Sequence, residues 1–71
     1  MKKIRIHWTK KIKDPIYNGY EQRIRKKFNI QDGITINGES FVTLDESLLN
    51  DLKETEHLGF IEIRNITNLN T

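Results

Sequence analysis

The sequence lacks several features that identify common classes of protein. It contains no cysteine, which excludes disulfide bonds and thiolate metal sites. No stretch approaches the roughly 20 apolar residues that a membrane-spanning helix needs. The charged start, residues 1–8, is not followed by the apolar run of a secretory signal. We therefore expect a cytoplasmic protein without membrane association.

The sequence patterns of catalytic and metal sites are also missing. It has no nucleophile-elbow serine, no phosphate-binding glycine loop and no calcium-binding loop. His7 and His57 are the only histidines, and a metal site needs three or four convergent ligands. Glu54 and Glu56 are two residues apart, so they would diverge on a helix. We expect a non-enzymatic protein that needs no cofactor and no metal.

Charge is distributed unevenly along the chain. Residues 1–30 contain ten Lys or Arg and two Asp or Glu, a balance of +8, whereas residues 31–71 contain two and eight, a balance of −6. The sum is the net charge of +2. Such asymmetry is typical of chains that bind nucleic acid or another polyanion. The alternative is that the two halves attract each other within the fold.

The start of the chain has the pattern of a β-strand. Ile4, Ile6 and Trp8 alternate with basic residues, which gives one apolar and one basic face. Pro15 argues against a central strand in the segment that follows, which we interpret as a connection.

Residues 20–28, YEQRIRKKF, fit two structures. Three apolar side chains spaced by four share a face in either a helix or a strand. Most of the residues between them favour helix, and Asn18 with Glu21 resembles a capping box. The preceding YNGY, residues 17–20, favours a hairpin turn instead. We predict a helix and keep the strand as the alternative.

The second half of the chain predicts a hairpin, a helix and a strand. Residues 34–44, ITINGESFVTL, are predicted to form the hairpin. An odd-numbered loop at residues 37–39, or an adjacent bulge, would keep the aliphatic side chains on one face. Asp45 as N-cap and Gly59 at the other end delimit a helix. Residues 60–66 form the last strand.

The predicted order of elements is β-α-β-β-α-β. This is a small α+β domain with the ferredoxin-like order, in which a four-stranded sheet carries two helices on one face. We expect the domain to span residues 1–66 and residues 67–71 to form a frayed tail. If residues 20–28 were a strand, the fold would instead be a β-meander with one C-terminal helix.

Basic residues are the first candidates for a functional site. Lysine and arginine side chains could each meet a phosphate and release counterions. The alternative is a solvated helix face that pairs with acids of the second helix. The candidates are Arg23, Arg25, Lys26 and Lys27 on the predicted helix, Lys10, Lys11 and Lys13 before it, and Lys3 and Arg5 on the first strand.

The outer face of the predicted sheet is the second candidate. It would place Phe41 and Phe60 beside cations, as RNA-recognition modules do to stack bases. NGESFVTL, residues 37–44, resembles the third-strand signature of that family at Gly38, Phe41 and Val42, although it lacks the leading cation and two aromatics. The alternative is an ordinary hairpin whose Phe41 packs under a loop or a second subunit. If Phe41 and Phe60 are both exposed, we expect them to form the interface of a homodimer.

We therefore keep two hypotheses for the function. The first is a small non-enzymatic protein whose basic N-terminal half contacts nucleic acid or another polyanion. The second is a protein-protein interaction module that modulates a host or partner protein, and a homodimer is one form it could take. The small size and the bias towards lysine, isoleucine and asparagine suit accessory proteins of phages or mobile elements.

Overall fold

Residues 1–31 and 37–68 are described by the computed structural model, and they form an α+β domain with three strands and two α-helices. The elements are β1 (Lys2–Trp8), two short 3₁₀ segments (Lys10–Lys13 and Pro15–Tyr17), α1 (Tyr20–Phe28), β2 (Glu39–Leu44), α2 (Glu46–His57) and β3 (Ile61–Asn68).

The predicted four-stranded, ferredoxin-like sheet is wrong. The sheet has three antiparallel strands in the order β2-β1-β3. β1 is central because both of its edges are paired, with β2 from Lys2↔Leu44 to His7↔Glu39 and with β3 on the other side. β2 and β3 therefore run parallel to each other, and α2 connects them across β1. The predicted first strand of the hairpin, residues 34–36, lies outside the described residues.

Residues 20–28 are helical, so the prediction of a helix is confirmed and the β-meander alternative is wrong. The helix does not begin with the predicted capping box. Its N-cap is Gly19, whose φ of +89° lies in the left-handed region that glycine tolerates, and no side chain caps the helix there. The backbone turn, and not an Asn18 side-chain bond, therefore starts α1.

α2 begins as the sequence predicts. The Asp45 carboxylate accepts a hydrogen bond from the Leu48 amide at 2.9 Å, which satisfies one of the free amides of the first turn. Leu49 and Leu52 point inward and are fully buried. Beyond the helix, Gly59 has a φ of +89° and turns the chain towards β3.

Within the described residues, one apolar core lies between one face of the sheet and the two helices. Alternate residues of β1 and β2 supply its sheet side, and α1 and α2 supply the other. Its buried members are Ile4, Ile6, Trp8, Ile12, Ile24, Phe28, Ile30, Val42, Leu44, Leu49, Leu52, Phe60 and Ile61. The opposite face of the sheet carries polar side chains and Phe41.

β3 continues further than the predicted strand. Its pairing with β1 shifts by one residue between Arg5 and Ile6, and Arg64 is the extra residue. Thr67 and Asn68, expected in the tail, pair with Lys3 and Lys2. On the outer edge of β3 the Ile63 amide donates to the Glu56 carboxylate at 2.6 Å, so α2 covers part of that edge.

Candidate nucleic-acid interface

The structure gives Arg25 an internal role. Its side chain is 7% exposed, its Nε lies 2.9 Å from a Glu21 carboxylate oxygen, and its guanidinium also donates to the Gln31 carbonyl at 3.1 Å. The guanidinium lies 4.7 Å from the centre of the Trp8 ring. Arg25 thus connects α1 to the central strand, and it is not available to a phosphate.

Lys11 is also engaged within the fold. Its ammonium donates to the Leu58 carbonyl at 2.6 Å, at the C-terminal end of α2, where a cation is favourable. The same ammonium lies 5.0 Å from the ring centre of Phe60 and 5.5 Å from that of Tyr17. Lys11 therefore links the first 3₁₀ segment to the C-terminal end of α2 through a hydrogen bond.

Basic side chains on the outer sheet face surround Glu39, an acid of the second half of the chain. Its carboxylate lies 3.7 Å from the Nε of Arg5, which belongs to the first half of the chain, and 3.9 Å from the Nε of Arg64, which belongs to the second. The His7 Nδ1 lies 3.8 Å from the same carboxylate. The Lys3 ammonium lies 5.3 Å from the Phe41 ring. Part of the charge asymmetry is thus compensated inside the fold, as the alternative interpretation proposed.

One further pair joins the two halves at the start of α2. The Lys2 ammonium lies 2.6 Å from a Glu46 carboxylate oxygen. The hydrogen bond from Lys2 and its positive charge lower the pKa of Glu46 below its usual value.

The other basic candidates are exposed. None of them forms an ion pair with a carboxylate anywhere in residues 1–31 and 37–68. They are Arg23, Lys26 and Lys27 on α1 and Lys10 and Lys13 on the first 3₁₀ segment, and together we call them the basic face.

The helical period explains why three of these cations share one side of α1. Lys26 and Lys27 follow Arg23 by three and four residues, so the three side chains are surface neighbours. All three are exposed, whereas Ile24 and Phe28 of the same helix enter the core. Two of them contact aromatic rings, since the Arg23 guanidinium lies 5.6 Å from the Tyr20 ring centre and the Lys27 ammonium lies 5.5 Å from that of Phe28.

Two grooves border the basic face. The first has a volume of about 500 Å³ and lies between the 3₁₀ segments and the start of α1, where Lys13, Tyr17, Asn18 and Gln22 contribute to its walls. The second has a volume of about 200 Å³ and lies between α1 and the end of α2. Its lining is mostly apolar and includes Tyr20, Ile24, Phe28, Leu58 and Phe60, with Arg23 and Lys27 at its margin.

The two phenylalanines predicted for the outer face are separated. Phe41 lies on that face and is 49% exposed, whereas Phe60 is 5% exposed and packs against Tyr17 and Tyr20 at 4.9 and 5.3 Å between ring centres. A base-stacking surface built from both rings, as in RNA-recognition modules, is therefore not formed. Of the two residues predicted for the interface of a homodimer, Phe41 is exposed and Phe60 is buried.

The sequence patterns did not predict the aromatic cluster formed by Tyr17, Tyr20 and Phe60. The tyrosine rings meet edge to face, 5.3 Å apart at 68°, and both contact Phe60 from the far end of the chain. Tyr17 and Tyr20 are three residues apart, a spacing that favours the same side of a helical segment. Nothing in the sequence indicated Phe60 as the third member.

The described residues contain no group of three or more His, Cys, Asp or Glu side chains that could hold a metal ion. Among the same residues, no helix has the length and apolar character needed to cross a membrane.

No family model, curated protein or solved structure matches the chain.

Proposed function

We propose that this protein binds nucleic acid, or a polyanion of similar charge density, through the basic face. The observation that supports the proposal is the division among the basic residues. Arg25 and Lys11 are held by internal contacts, whereas the five members of the basic face project into solvent without a described carboxylate partner.

Phosphate groups are the ligands that suit this arrangement. Each Lys or Arg that meets a phosphate releases condensed counterions, which favours binding at low salt. Arg23 can also form a bidentate contact, because its guanidinium presents parallel donors to two oxygens. Five contacts predict a slope of about −3.5 to −4.5 for log affinity against log salt concentration, depending on strandedness.

The test is a fluorescence anisotropy titration of a labelled oligonucleotide at several salt concentrations. The variant that changes Arg23, Lys26 and Lys27 to Gln should flatten the slope by about 2 to 3. A matched control changes Lys3, Lys53 and Arg64 to Gln, which removes the same charge elsewhere. Absence of binding at low salt, or an equal loss in the control, would overturn the proposal.

A second candidate function is binding of a partner protein in the apolar groove between α1 and α2. Leu58 is 59% exposed and Tyr20 is 37% exposed at this groove, and exposed apolar surface of this kind often marks an interaction site. Arg23 and Lys27 at the margin favour an acidic amphipathic segment, which would place apolar side chains in the groove and carboxylates beside the cations.

The two candidates respond differently to one substitution. Leu58→Ser should weaken binding of a labelled acidic amphipathic helical peptide and leave oligonucleotide binding unchanged. A peptide that binds Leu58→Ser and the unmodified chain equally well would exclude this groove as its docking site.

A further inference from the structure

We propose that the groove between the 3₁₀ segments and α1 accepts an unstacked base, so that the preferred ligand is single-stranded nucleic acid. This inference rests on the function proposed above and specifies its ligand. The groove, of about 500 Å³, is within the range of small-molecule sites and opens beside the basic face.

One cation lines the groove and a second lies on α1 beside it. Lys13 contributes to one wall and Gln22 to the other. Lys26 follows Gln22 by four residues on α1, so the two side chains share one side of the helix. A strand that crosses the groove would therefore meet a cation before and after the nucleotide whose base enters it.

Two amide side chains provide the polar contacts that a base requires. Asn18 and Gln22 line the groove and are exposed, and neither side chain is hydrogen-bonded to another described residue. Each amide offers both donors and an acceptor. The Watson–Crick edge of an unpaired base presents the complementary groups.

The carboxylates in the groove favour a base over a phosphate. Asp14 accepts a hydrogen bond from the Ile16 amide at 3.1 Å, and Glu21 is paired with Arg25 at 2.9 Å. The charge of Glu21 is offset by Arg25, whereas Asp14 has no ion pair among the described residues. The Asp14 carboxylate therefore repels a phosphate but can accept hydrogen bonds from the amino groups of bases. The phosphates would consequently remain outside, on the basic face.

Tyr17 adds an aromatic surface to the same groove. Its ring is oriented by the edge-to-face contacts with Tyr20 and Phe60 and by the Lys11 ammonium. Aromatic side chains beside a cationic track are characteristic of proteins that bind single strands, because every base has a face that can stack. In a duplex the bases are already stacked and paired, so none could enter.

The test compares a labelled single strand of about 12 nucleotides with the duplex of the same sequence at one low salt concentration. We expect the single strand to bind about tenfold more tightly. Changing Asn18 and Gln22 together to Ala should reduce that preference several-fold and leave duplex affinity and the salt slope unchanged. The matched control changes Asn50 and Asn65 to Ala, which removes two exposed amides elsewhere.

The outcomes separate this inference from the proposed function. Equal affinity for single strand and duplex would overturn the base site but leave polyanion binding intact. A double-Ala variant that loses both affinities equally, with an unchanged melting temperature, would also overturn it. If neither oligonucleotide binds at low salt, both the base site and the proposed function are wrong.

Discussion

The guanidinium of Arg25 lies 4.7 Å from the centre of the Trp8 ring, although the two residues are on different elements. Trp8 is held from its other end, because its indole nitrogen donates to the Ser40 hydroxyl at 2.9 Å. One aromatic ring therefore links α1, β1 and β2. Arg25 is therefore buried against the core, and α1 presents one cation fewer to a ligand.

Arg25→Gln should destabilise the protein. The substitution removes the contact with Trp8 and leaves Glu21 without its partner, and together these should lower the free energy of unfolding by about 2 kcal/mol. Urea denaturation followed by circular dichroism measures this change. Lys26→Gln is the matched control, because an exposed cation contributes little to stability. A loss no larger than that of the control would show that Arg25 is not structural.

Part of the environment of Arg25 could be predicted from the sequence. Glu21 and Arg25 are four residues apart, a spacing that favours an ion pair on a helix. The helical propensity of residues 20–28 also predicted α1 correctly. The position of Trp8 beneath Arg25 depends on how the helix packs on the sheet, which no local pattern encodes.

Phe60 shows a different limit of the sequence pattern. Alternation with Ile61 placed it on the outer face of the last strand. In the structure the strand begins only at Ile61, and Gly59, with a φ of +89°, turns the chain so that Phe60 enters the core.

Removal of the N-cap should weaken α2. Asp45→Ala deletes the acceptor for the Leu48 amide and should lower the free energy of unfolding by about 1 kcal/mol. Thermal unfolding detects such a change readily in a chain of this size. Asn50→Ala, on an exposed position of the same helix, is the comparison. Equal melting temperatures for the two variants would contradict the capping role.

The interaction of Lys2 with Glu46 should be visible in a pH titration. The pKa of Glu46 is lowered chiefly by Lys2, so Lys2→Gln should return that pKa towards its usual value. Because the pKa is lower in the folded chain, the pair favours folding at neutral pH, and this contribution is lost as the pH falls through the folded-state pKa. Carbon-detected NMR of the Glu46 carboxyl provides the measurement. Lys53→Gln is the control and should have a smaller effect, and equal effects would contradict the assignment.

Glu56 should protect the edge of β3 from exchange with solvent. Its carboxylate accepts the hydrogen bond of the Ile63 amide, on the side of the strand that faces away from β1. In Glu56→Ala that amide should exchange with deuterium about tenfold faster, as expected for the loss of a hydrogen bond to a charged acceptor. Glu54→Ala serves as the reference. An unchanged rate in Glu56→Ala would show that the contact does not protect the edge.

The central claim is that nucleic acid contacts the basic face, and chemical-shift mapping tests it most directly. Addition of an unlabelled single-stranded oligonucleotide to the isotope-labelled chain should shift the resonances of Arg23, Lys26 and Lys27, together with those of Lys10 and Lys13. The shifts should disappear as salt is raised. The resonances of Arg25 and of the outer-face residues Arg5 and Phe41 should change little. Shifts concentrated on the outer sheet face, or no shifts at low salt, would contradict the account.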